Sequence, residues 1–278
     1  MLSPLTAALL AALVVVGCDS APDLSGRPTE ADEPVIRISR FKTGDGAAER
    51  LATLPVGTLY GDGRVIRPGP QIAVEPAPAL PSLQVTTLDS AGVDAVLAKA
   101  AAAGLVGADR ELRMPTEADP TITAFDIFLD GQRRRTIVES LAEIADDDPR
   151  FPPKSREQRA AMKAVEAMLT DPASSLAGNI VGEDAVYAPT AVGVLVASAA
   201  EDPSTGEPTI VEWPLADLAT LGSEVEGVQG LRCAVVEGED WTTLQPLAGS
   251  ANQATQWSSG GAMYTLKFRP LLPGEEGC

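Results

Sequence analysis

The sequence predicts an α+β fold: antiparallel β-hairpins with helices packed on one face. Three observations predict it. Gly-Asp-Gly and Asp-Gly turn signatures sit inside β-rich runs at residues 56–67 and 121–138. Two segments, near residues 90–103 and 155–169, carry apolar residues at helical spacing. Helices segregated against largely antiparallel hairpins define the α+β class, here as two possible hairpin-helix subdomains.

The elements follow in order. Residues 35–41, VIRISRF, open the fold as a strand in which Val35, Arg37 and Ser39 alternate with Ile36, Ile38 and Arg40. Residues 56–67, VGTLYGDGRVIR, form a hairpin because glycine supplies the positive φ that a tight turn needs. LQVTTL at 83–88 is the next strand. Asp89 or Ser90 then caps a helix whose face is Val93, Val96, Leu97, Ala100 and Ala101, with Gly104 as its stop. TITAFDIFLDGQRRRTIV at 121–138 turns about Asp130-Gly131, with Phe125, Ile127 and Leu129 on one face. SREQRAAMKAVEAML at 155–169 begins with Ser155 and Gln158 in capping-box spacing and presents Ala161, Val165, Met168 and Leu169. The hairpin-helix order thus occurs twice, although residue identity between the halves is poor.

DPASSLAG at 171–178 marks a boundary between subdomains spanning 35–175 and 176–278. Beyond it, TAVGVLVASA and TIVEW are strands, and Pro214 starts a short helix, PLADLATL, ending at Gly222. LRCAVVEG is a strand holding Cys233. Pro246 forbids one long helix from Asp240, so a short helix is expected nearer Leu244. AMYTLKFRPLLP closes the chain as a strand with Tyr264, Leu266 and Phe268 on one face.

With 278 residues the chain suits one large domain or two small ones. A hydrophobic content of 45% and a mean hydropathy of +0.06 mark it as globular, and aromatics of only 4% leave the core mainly to Val, Leu, Ile and Ala. A net charge of −18 repels phosphate backbones and disfavours nucleic acid as a partner. The absence of histidine removes Ser-His-Asp and Cys-His catalysis, HExxH sites and zinc fingers.

The first 18 residues carry an address. Residues 5–16, LTAALLAALVVV, are unbroken and apolar, yet shorter than the roughly 20 residues a membrane-spanning helix needs. They fit a secretory h-region, although the preceding MLSP holds no Lys or Arg. The run ends Val15-Val16-Gly17-Cys18, which resembles the lipobox of bacterial lipoproteins. The resemblance implies cleavage after Gly17 and thioether acylation of Cys18. Residues 1–17 would be the signal peptide, and the mature protein would be an extracytoplasmic lipoprotein whose membrane partner is reached through two or three acyl chains, palmitate among them. Residues 18–34, acidic and proline-containing, are expected as a flexible tether. With Cys18 acylated, Cys233 and Cys278 remain, and an exported protein is expected to join them in a disulfide.

Candidate chemistry is sparse. Ser39-x-x-Lys42 and Lys42-Thr43-Gly44 have the form of the SxxK and KTG motifs of penicillin-binding proteins, but they share one lysine on a strand end and miss the required context. Glu139, Glu143, Asp146, Asp147 and Asp148 form the densest acidic run, without the DxDxDG pattern of a calcium loop; a solvated helix end is the more frequent role. Arg133, Arg134 and Arg135 lie near Asp126 and Asp130 and offer a phosphate or carboxylate site, against a solvated hairpin face. Trp213, Trp241 and Trp257 could stack on a sugar, though tryptophans more often fill a core. GxSxG, P-loop and GxGxxG motifs are missing, so no catalytic residue, cofactor or metal is assigned. The reading is a binding or accessory module of the bacterial cell envelope, with an envelope protein or glycan as partner; the alternative is an anchored hydrolase of cell-wall glycan using a carboxylate pair.

Overall fold

A computed structural model describes residues 24–71, 73–113, 119–199 and 209–277. The h-region, the lipobox with Cys18, and Cys278 lie outside the described residues. The fold is α+β, built on two largely antiparallel sheets.

The first sheet has eight strands. The chain runs β1 (Pro34–Lys42), α1 (Ala47–Ala52), β2 (Gly57–Tyr60), β3 (Arg64–Pro68), β4 (Leu83–Thr87) and α2 (Ser90–Ala102). It continues through β5 (Arg110–Leu112), β6 (Thr121–Leu129), β7 (Gln132–Glu139), α3 (Pro153–Thr170), α4 (Pro172–Leu176) and β8 (Ala185–Val186). Their order across the sheet is β5-β7-β6-β1-β2-β3-β4-β8. The β6–β7 hairpin turns at Asp130 and Gly131, whose φ values of 54° and 68° are the two positive angles of a type I′ turn. Helix α2 begins as expected, with the Asp89 carboxylate accepting the Gly92 N–H at 2.7 Å. It stops at Gly104, whose φ of 71° permits the reversal. Its core face is Val93, Val96, Leu97 and Ala100, while Ala101 stays half-buried.

Helix α3 starts earlier than its capping-box spacing suggests. Pro153 takes the first helical position, where its missing N–H costs nothing, and Ser155 lies inside the first turn. Its inward face includes Met162, Val165 and Leu169 but also two charged residues, Arg159 and Glu166. Arg159 donates to the carbonyls of Glu139 (3.0 Å) and Ser140 (2.8 Å), and Glu166 pairs with Arg40. Helices α2 and α3 pack side by side. The core beneath them gathers Val35, Ile36, Ile38, Phe125, Ile127, Leu129 and Leu141.

Residues 24–33 correct the expected tether. They carry no helix or strand but are docked. Leu24 packs against the core, the Asp130 N–H donates to the Gly26 carbonyl at 2.8 Å, and Arg27 reaches Asp94 at 3.3 Å. Arg64 holds the Ala31 carbonyl at 2.6 Å. The segment is therefore a strap across two hairpin turns. Gly61 lies against the Thr29–Glu30 backbone, where any side chain would collide, and Gly26 lies against the Asp130 carboxylate, which would have to move aside for one.

The second sheet has six strands: β9 (Ala191–Ser198), β10 (Ile210–Glu212), β11 (Ser223–Glu224), β12 (Leu231–Glu237), β13 (Gln256–Ser259) and β14 (Ala262–Pro270), in the order β10-β13-β14-β9-β12-β11. Helix α5 (Gly238–Ser250) covers one face. The change of sheet comes after the expected boundary at 175/176, because Leu176 belongs to the first core and β8 pairs with β4.

Two helix expectations are corrected. Residues 214–221 form turns rather than a helix: the Trp213 indole donates to the Ala216 carbonyl at 2.9 Å and Ser259 Oγ accepts the Leu218 N–H, so side chains take the local backbone partners. Helix α5 runs through Pro246 without interruption. Its buried face, Trp241, Leu244 and Ala248, anchors both halves, and Pro246 and Thr242 lie on the exposed side, where water can satisfy the Thr242 carbonyl.

The sheets join along their second faces. Ala48 and Ala52 of α1 pack on Leu195, Leu231 and Cys233, and Lys267 pairs with Glu49 at 2.7 Å. Residues 271–277 run along this seam: Leu272 is buried with Tyr60, Ile66 and Leu83, the Tyr187 hydroxyl donates to the Leu271 carbonyl (3.0 Å), and the Tyr60 hydroxyl to the Pro273 carbonyl (3.3 Å).

Candidate functional site

Strand alternation places charge in this seam. On β1, Ile36 and Ile38 enter the helix-covered core, so Arg37 and Ser39 point the other way. Register then sets Arg135 of β7, Asp126 of β6 and Arg37 of β1 in one cross-strand row. Asp126, only 3% exposed, accepts two N–H bonds from Arg135, both 2.8 Å. Arg133 approaches the same carboxylate at 3.7 Å and remains half-exposed. A second such group comes from the other sheet. Arg269 of β14 makes a two-pronged pair with Glu275, at 2.7 and 2.9 Å, and Arg37 reaches that carboxylate at 3.5 Å. Burial alone would push the Glu275 carboxyl up. The Arg269 bonds and charge, the Leu272 N–H and the Arg37 charge outweigh it, and the carboxyl lies below its ordinary value.

Between these groups lies a cavity of about 330 Å³ lined by Arg37, Ser39, Thr53, Phe128, Arg133 and Arg135 among others. A neighbouring cavity of about 490 Å³ shares Arg37, Thr53, Arg269 and Glu275 and continues toward Leu51, Leu195, Leu271 and Cys233. The seam therefore has a cationic end and an apolar end. Guanidinium groups set in this way are suited to anionic groups.

The predicted sites fall as follows. Of the three adjacent arginines, Arg133 and Arg135 reach the cavity. Arg134 points to the opposite face, where it meets Asp130 (3.7 Å) and the Val106 carbonyl (2.9 Å). The tryptophans are not a stacking platform. Trp213, Trp241 and Trp257 are 5%, 4% and 1% exposed, and Trp257 meets Trp213 and Phe268 edge-on, so all three fill the core beneath α5. Ser39 and Lys42 lie on one strand at odd spacing, which sends their side chains to opposite faces. In the acidic run, Asp146 pairs with Lys163 (2.6 Å) and Asp148 with Arg150 (2.7 Å). Cys233 is buried on β12; Cys18 and Cys278, the other cysteines, are outside the described residues. Sequence reasoning missed Arg37, Arg269 and Glu275, which come together only through tertiary contact. Arg37 carried a signal, an arginine alternating with isoleucines in a strand; Glu275 carried none.

Comparison with known proteins gives no match: no family model, no curated protein and no solved structure matches the chain.

Proposed function

We propose that the protein is an extracytoplasmic lipoprotein, anchored to a bacterial membrane by acylated Cys18, that acts as a binding or accessory module of the cell envelope. The observation that carries the binding role is the arginine-lined seam between the sheets. Four guanidinium groups and two carboxylates surround one cavity in a chain whose net charge is −18. A local reversal of sign that costs buried charge is the mark of a recognition surface rather than of generic solubility. The anchor rests on the h-region and the lipobox resemblance. The described residues hold no helix long and apolar enough to cross a membrane.

Within this reading Cys233 pairs with Cys278. Gly277, the preceding residue, lines the same cavity as Cys233, and a side chain on it would meet Val235, two residues along β12. Mass spectrometry of the mature N-terminus tests the anchor: a diacylglyceryl or triacyl Cys18 is expected, and an unmodified terminus elsewhere would refute it. Capture of envelope partners by the full chain tests the binding role. Loss of a captured glycan or protein when Arg133 is changed to Gln is expected; turnover of cell-wall glycan would instead establish a hydrolase.

A further inference from the structure

We propose that the 330 Å³ cavity is a site for a small dianionic oxyanion, a phosphate monoester or a dicarboxylate, held between Arg37 and Arg133. The inference rests on the binding role above and gives it a ligand class. The chain itself displays what these arginines accept, since each carboxylate in the cavity wall is gripped two-pronged by one guanidinium, Asp126 by Arg135 and Glu275 by Arg269. That leaves a second arginine at each carboxylate in a looser contact: Arg133 at 3.7 Å and Arg37 at 3.5 Å. Four cationic groups against two anionic ones leave two formal positive charges facing one cavity. A dianion balances them.

The walls set the size. Ser39 lies two residues from Arg37 on the same face of β1 and adds a hydroxyl. Phe128 stands opposite Arg133 in the hairpin register and supplies an apolar wall. The volume is at the small end of the range for ligand sites. A long polyanion would extend beyond the cavity along a chain whose net charge is −18 and be repelled, so the ligand is a small one.

The test is calorimetric titration of the full chain in detergent with inorganic phosphate and, separately, malonate, at constant ionic strength. Three proteins are compared: the unaltered chain, Arg133→Gln, and Arg113→Gln, whose side chain is 73% exposed and pairs with Glu111 outside the cavity. Saturable binding is expected for the unaltered chain and Arg113→Gln, weakened by about tenfold or more in Arg133→Gln. Binding of phosphate alone assigns a phosphate ester; binding of malonate alone assigns a dicarboxylate. No saturable binding of either probe, or equal binding by Arg133→Gln, would overturn the proposal. Arg133 meets Asp126 only loosely, at 3.7 Å, and is half-exposed, so an unchanged unfolding midpoint separates loss of the site from loss of the fold. If neither probe binds while envelope partners are still captured, the oxyanion site fails and the binding role stands.

Discussion

Glu275 touches both sheets with one carboxylate, bonding Arg269 of the second and approaching Arg37 of the first. Its side chain is 9% exposed, and that of Arg269 is 17% exposed, so neither charge is well solvated. Removing the carboxylate leaves a mostly buried guanidinium uncompensated. Glu275→Gln should therefore cost about 3 kcal/mol in urea unfolding near neutral pH. The pH dependence has a definite sign. The folded carboxyl lies below its ordinary value, so its stabilisation is present above that ordinary value and is lost as pH falls through the depressed one. The gap between the unaltered chain and Glu275→Gln should thus close in strongly acidic buffer. A gap that stays constant down to about pH 2 would refute the linkage. Glu166 works in the opposite sense. Burial raises its carboxyl despite Arg40, so the folded state takes up a proton more readily than the unfolded chain, and this group favours folding as pH drops toward its ordinary value.

At the level of elements, hairpins and amphipathic helices were legible because their signals are local. The Asp130-Gly131 and Gly61-Asp62-Gly63 turns fall where the sequence puts them, and so does the Asp89 cap. The strap at 24–33 was not legible, because its composition is that of a tether and its order comes from glycines that let it lie against two distant turns. The seam was legible only in part. Arg133 and Arg135 stand beside Asp126 through a hairpin, whereas Glu275 finds Arg37 across 238 positions of chain (275 − 37). Helix α5 shows burial overriding propensity: Trp241, Leu244 and Ala248 hold the helix together through Pro246. The proline still denies Thr242 a backbone donor. Pro246→Ala restores it on an exposed face, offset by greater freedom of the unfolded chain. A net gain of about 1–2 kcal/mol is expected from denaturant midpoints. A loss would mean that the helix relies on the proline geometry.

For the molecule as a whole, the seam is both the joint between the sheets and the candidate binding surface, so what fastens it governs both. Residues 271–277 form that fastening. Leu272 enters the first sheet's core, the Tyr60 and Tyr187 hydroxyls hold two tail carbonyls, and Glu275 fills the arginine clamp. A charge of −18 works against any compact state through self-repulsion. A Cys233–Cys278 bond would close residues 271–277 over the seam, tying Cys278 to β12. The closed loop of roughly 45 residues is worth about 4 kcal/mol in the chain-entropy model. Reduction should therefore lower the urea midpoint by an amount corresponding to several kcal/mol, and Cys278→Ser should show the same loss with no further response to reductant. Because the tail carries Glu275, the reduced protein should also lose part of its protection from amide exchange at Leu271 and Leu272, ahead of global unfolding. Peptide mapping without reductant should recover the cross-link; alkylation of both cysteines under those conditions would show that the seam is held by Glu275 and Leu272 alone.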